Sequence, residues 1–106
     1  MYKRQGILGL QSALPMTLKM VQDKQISLLN LIDRMSTKPA MISGLAAGSL
    51  RPGSAADLCF FEIKEGEKLN KNNNFSKSSN SPLWNVDLFG KVLYTFVDGK
   101  CVYGDL

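Results

Sequence analysis

The sequence predicts an α+β fold, with helices in its first half and antiparallel strands in its second. Three observations predict it. Apolar residues recur at helical spacing as far as Met41. Gly48, Pro52 and Gly53 then break the pattern in "AAGSLRPGSAAD". Beyond them come β-type runs, the last two joined by Asp98-Gly99, a strong hairpin signal.

The first helix is expected over residues 12–24. Leu14, Leu18 and Val21 form its apolar stripe, and Pro15 falls in the first turn, where a missing N–H breaks no intrahelical bond. A second helix is expected after Ser27, a good N-cap, with Leu28, Leu31, Ile32 and Met35 at i, i+3, i+4 and i+7. Arg34 near its end suits the helix dipole. Thr37 is expected to cap a third, short helix through "KPAMIS", with Pro39 in its first turn. Gly44 reads as the C′ stop, and Leu45 as the return to the core. Met16, Met20, Met35 and Met41 read as helix packing.

The glycine-rich stretch is expected to hold a strand and a tight turn. "DLCFFEI" is a β run with both faces partly apolar, expected to be covered on both sides. Residues 64–82 are polar and long for an internal loop, which suggests a surface excursion. In the next strand, alternation puts Val92, Tyr94 and Phe96 on one side and Leu93, Thr95 and Val97 on the other. Trp84 and Phe89 read as core.

Composition excludes several chemistries. There is no histidine, so Ser-His and Cys-His nucleophile pairs are ruled out. Cys59 and Cys101 have no second pair to complete a zinc spacing, and the expected state is two reduced thiols in a cytoplasmic protein. The net charge of +4 is spread along the chain, and no aromatic pattern interleaves the lysines of the polar loop. Nucleic acid is therefore not an expected partner. No stretch is long and apolar enough for a membrane span, and "MYKRQGILGLQSALPM" runs into amphipathic helix instead of a small-residue cleavage site.

Five stretches carry a resemblance. "STKPAMISGL" followed by "GSLRPGSAADLCFFE", with the pattern Gly48-x-Leu50-x-x-Gly53-x-x-Ala56-Asp57-Leu58, resembles the tail of metal-dependent amidohydrolases. "GILGLQSALP", "FSKSSNSPLW" and "GKVLYTFVDGKCVY" are similar to the closing segments of the dihydroorotase family, which usually has Glu where this chain has Gln11. A complete (β/α)8 barrel takes about 250 residues. The resemblance therefore implies a C-terminal portion of such an enzyme. Residues 1–47 would be the last barrel helix plus two further helices. Residues 48–106 would be the C-terminal strands of a small composite β-sandwich, with the polar loop at 64–82.

The resemblance implies more. The family closes N-carbamoyl-L-aspartate to dihydroorotate, reversibly, in pyrimidine biosynthesis, using zinc to activate water and an aspartate to move the proton. Those metal ligands and that aspartate belong to segments upstream of the match, so this chain is expected to hold no metal and no catalytic residue and to be inactive alone. Gln5 and Gly6 align with a substrate-contacting loop, where glycine permits close backbone approach; Gln5 departs from the aromatic common there, and a simple pre-helix turn is the alternative. Asp57 reads as structural, accepting backbone hydrogen bonds at a turn. Lys77 and Asn80 read as a loop fixing itself before they read as an anion site. The implied partners are the missing N-terminal barrel portion or a transcarbamoylase-like subunit; a non-catalytic assembly module is the alternative function. Missing neighbours would leave apolar patches and strand edges open, so self-association is expected.

Overall fold

The computed structural model describes residues 8–65, 68–70, 72–81 and 83–104. Its first helix, α1 (Ala13–Gln22), buries Pro15 and Leu18. Ser12 precedes it with helical angles and makes no side-chain cap. The helix stops two residues short of the predicted Lys24 because Lys24 itself turns left-handed, at φ 59°. The amide of Lys24 then donates to the Val21 carbonyl (3.1 Å), and that of Gln25 to the Met20 carbonyl (2.9 Å). This is a Schellman closure made without glycine.

Ser27 caps the next helix as predicted, its hydroxyl accepting from the Asn30 amide at 3.2 Å. Helix α2 (Leu28–Ile32) does not end in a loop. It runs through a π-helical turn, Asp33–Thr37, directly into α3 (Lys38–Ser43). Thr37 is therefore no cap: its angles are helical and its side chain makes no capping bond. Pro39 supplies the physical reason. It has no N–H, and its ring would meet the carbonyl of Met35 in a regular α-helix. The amide of Lys38 instead reaches back to Asp33, widening the turn just ahead of the proline. Arg34 thus lies inside a continuous helical run and not near its C-terminus. Gly44, at φ 69°, closes that run, with Leu45 N–H on the Ala40 carbonyl (2.9 Å). Leu45 does not reach the core; it is 64% exposed.

Residues 46–57 form bends and one turn, Ser54 N–H to the Arg51 carbonyl at 3.0 Å, and hold no strand. The predicted strand fails because this stretch packs on the helix: a Cβ at Gly48 would lie 2.9 Å from the Ser36 carbonyl oxygen and 3.2 Å from Ala40 Cβ.

The sheet is antiparallel, in the order β1 (Leu58–Glu65), β2 (Phe89–Val97), β3 (Lys100–Tyr103). Asp98 and Gly99 close a two-residue hairpin, both with positive φ, as a type I′ turn requires. The facing pattern differs from simple alternation. Phe60 pairs with Tyr94, but Phe61 pairs with Val92, which leaves Leu93 as an extra residue. Directly opposed residues share a face, so this bulge moves Val92 to the side of Thr95, away from Tyr94 and Phe96. A further bulge, at Val102, does the same for β3: Cys101 pairs with Phe96 and Tyr103 with Thr95.

Helix α1 packs on β2, with Leu18 against Gly90. On the opposite face Phe60 meets Tyr94 and Phe96 edge-on, at ring separations of 6.3 and 5.7 Å. Phe60 is nevertheless 49% exposed, so β1 is not covered on both sides as its composition predicts. The buried apolar residues among those described are few: Leu18, Leu31, Ala40 and Leu69, with Pro15 beside them. Met20, Met35 and Met41 are exposed, and Met16, Trp84 and Phe89 half-buried.

Candidate functional site

The segment ahead of α1 and the polar loop meet over the sheet. Asparagines organise the loop from within. Asn70 Oδ1 accepts from the amides of Asn72 (2.8 Å) and Asn73 (3.2 Å), and Asn73 Oδ1 accepts from the amide of Asn70 (2.8 Å). Asn74 Nδ2 donates to the carbonyls of Ser76 and Ser78. Trp84 Nε1 donates to the Ser79 carbonyl at 2.9 Å, so the indole ties the loop. This self-fixing loop is what the asparagine and serine content allows.

Three hydrogen bonds then join the loop to the pre-helix segment. The Leu8 amide donates to the Asn80 carbonyl at 2.8 Å. Gln11 Nε2 donates to the Asn73 carbonyl at 2.5 Å, and Gln11 Oε1 accepts from the Phe75 amide at 2.9 Å. Beneath lies an open cavity of about 500 Å³, lined by Leu10, Gln11, Pro15, Phe75, Thr95 and Tyr103 among others. A second cavity, of about 370 Å³, lies directly ahead of α1 and shares Gln11 with the first. Phe75 packs edge-on against Tyr103, with ring centroids 6.1 Å apart.

The residues around these cavities are apolar or carry amides and hydroxyls, except Lys91, which lines the first. They can bind and position. Gln5 and Gly6, the residues predicted to face substrate, lie outside the described residues. Asp57 is structural, as predicted: its Oδ1 accepts the Asp98 amide at 2.7 Å, while the Ala56 carbonyl accepts from Gly99 at 3.0 Å. It thereby ties the entry of β1 to the β2–β3 hairpin. Lys77 is exposed, and the Asn80 amide donates to Ser78 Oγ within the loop at 3.4 Å. Gln11 enters the sequence reading only as a departure from a family glutamate. Its two long-range bonds have no local signal.

The donor set does not fit a zinc centre. The chain has no histidine, and among the described residues no three Cys, Asp or Glu side chains are grouped to hold a metal. Cys59 and Cys101 are both free thiols, on β1 and β3 with β2 between them. Burial pushes the Cys59 thiol above its ordinary value. No helix among the described residues is long and apolar enough to cross a membrane.

Comparison with known proteins gives the site its context. The chain is 47% identical over 100 residues to a dihydroorotase of Aquifex aeolicus, a match covering 94% of this chain and 24% of the relative. It is 42% identical to a dihydroorotase of Sulfurihydrogenibium, again over 94% of this chain and 24% of the relative. It is 40% identical to one of Geotalea daltonii, over 92% and 23%. The chain therefore spans about a quarter of the length of the curated relatives it matches. The sequence model of the amidohydrolase family matches residues 5–102, and the chain belongs to that family.

Proposed function

We propose that this chain supplies the C-terminal part of a dihydroorotase-like zinc amidohydrolase, acting on the cyclic amide of dihydroorotate in the cytoplasm. In this reading α1 is the last barrel helix, residues 1–47 form the helical part, and residues 48–106 belong to the composite β-sandwich. The observation that carries the proposal is 47% identity along 94% of the chain to a dihydroorotase about four times as long. Zinc, when bound in such an enzyme, supplies Lewis-acid activation of water. Among the described residues no group of metal-holding side chains forms, so that centre would be carried by the barrel portion. They contribute scaffold and the segment ahead of α1, with Gln5 and Gly6 as the proposed substrate-facing backbone.

A second reading, a non-catalytic dihydroorotase-like module that docks on a partner subunit, draws on exposed apolar side chains. Leu29 is 80% exposed, Ile42 86% and Leu50 85%. Isolated exposed apolar residues are ordinary, but this density on a small domain favours a covering partner.

The test is direct. The purified chain is assayed for zinc content and for dihydroorotate hydrolysis, alone and mixed with a barrel polypeptide that carries the histidine ligands. Hydrolysis only in the mixture supports the first reading. Stable capture of a transcarbamoylase-like subunit without hydrolysis in any mixture favours the second.

A further inference from the structure

Gln11 does what a carboxylate at the same place cannot. Its amide presents one donor and one acceptor, and each is used: Nε2 on the Asn73 carbonyl, Oε1 on the Phe75 amide. An ionised glutamate keeps the second bond, loses the first, and sets a negative charge against a carbonyl oxygen. The partners lie 62 and 64 residues away along the chain, so the side chain is a tertiary clasp and not part of a local turn. Leu8 N–H on the Asn80 carbonyl extends the same seam. Gln11 also lines both cavities, so the strap it holds, Asn73–Phe75, forms part of the wall of each.

We propose that Gln11 is a positioning residue: its amide fastens the Asn73–Phe75 strap to residues 8–12 and so fixes how the segment ahead of α1 is presented to substrate. The last clause rests on the dihydroorotase-like reading above; the clasp itself does not. The match is specific to a neutral amide. A carboxyl introduced here regains the lost bond only when protonated, since the acid form again offers one donor and one acceptor. A proton bound preferentially in the clasped state raises the affinity of that carboxyl for protons, so the clasp of such a variant strengthens as pH falls.

The experiment measures backbone-amide protection at Leu8 and Phe75 in the whole chain at pH 3.5 and pH 8, corrected for intrinsic exchange, for wild type, Gln11→Glu and Gln11→Leu. Wild type is expected to be protected equally at both pH values. Gln11→Leu is expected to lose roughly fivefold or more of that protection at both. At Leu8, Gln11→Glu is expected to match wild type at low pH and fall toward Gln11→Leu at high pH, while Phe75, whose amide the carboxylate still accepts, stays protected at both. If Gln11→Leu does not fold, the pH dependence of Gln11→Glu decides alone. Equal protection of Leu8 in wild type and Gln11→Glu at both pH values overturns the clasp. In the mixture with the barrel polypeptide, Gln11→Leu is expected to raise KM more than it lowers kcat. Intact protection differences with an unchanged KM would keep the clasp and reject only its link to substrate.

Discussion

Leu18 and Gly90 share one piece of space: Leu18 is fully buried, and a Cβ at Gly90 would collide with its Cδ1. Gly90 also holds φ at +94°, a value L side chains rarely adopt. Helix α1 can approach β2 this closely only because the strand has no side chain there. Gly90→Ala is expected to destabilise the chain by roughly 2–4 kcal/mol, from left-handed strain and overpacking together. Urea unfolding of the single and double variants checks it: Leu18→Ala combined with Gly90→Ala should cost less than the sum, because the methyl fills part of the vacated space. Strict additivity would place the strain elsewhere.

Lys24 ends α1 in a conformation that glycine adopts freely. Lys24→Gly is expected to stabilise by about 0.5–1 kcal/mol, relief of left-handed strain outweighing the added freedom of the unfolded chain. A raised thermal midpoint with unchanged helical circular dichroism is the expected result.

These two sites show what is legible in the sequence and what is not. Ser27, Gly44 and Asp98-Gly99 act on neighbours within a few residues, so the cap, the stop and the hairpin can be read directly. The end of α1 cannot, because a lysine does the work usually marked by glycine. The fusion of α2 and α3 is hidden for a related reason: a proline reads locally as a helix start, whereas the π turn ahead of it lets the helix continue. Val92 changes face because β1 pairs past Leu93, a decision made between strands and not within one. The same holds for the candidate site. The asparagines announce a self-bonded loop, but only tertiary structure brings Asn73 and Phe75 to Gln11.

Asp57 joins β1 to the hairpin through the Asp98 amide. Asp57→Ala is expected to cost about 1 kcal/mol, below the usual range for a charged acceptor because the residue is exposed. Asp57→Asn keeps an acceptor and should lose less than half of that. Amide exchange at Asp98 reads the effect at the bond itself.

The Cys59 thiol is pushed upward by burial, which disfavours its charged thiolate. The folded state therefore binds this proton more tightly than the unfolded chain. Its contribution to stability is fully present below the unfolded thiol value and is lost as pH rises through the raised folded value. Alkylation of Cys59 in the folded chain is expected to be slower near pH 8 than in urea, where the thiol regains ordinary acidity. Equal rates in the two states would remove burial as the cause.

The central claim is tested most directly by dihydroorotate hydrolysis in the presence of zinc, measured for this chain alone and for this chain with a barrel polypeptide bearing the metal ligands. The expected result is no turnover and no tightly bound zinc for the chain alone, with activity emerging in the mixture at a defined stoichiometry. Turnover by the purified chain alone, carried by a metal on its own side chains, would contradict the account.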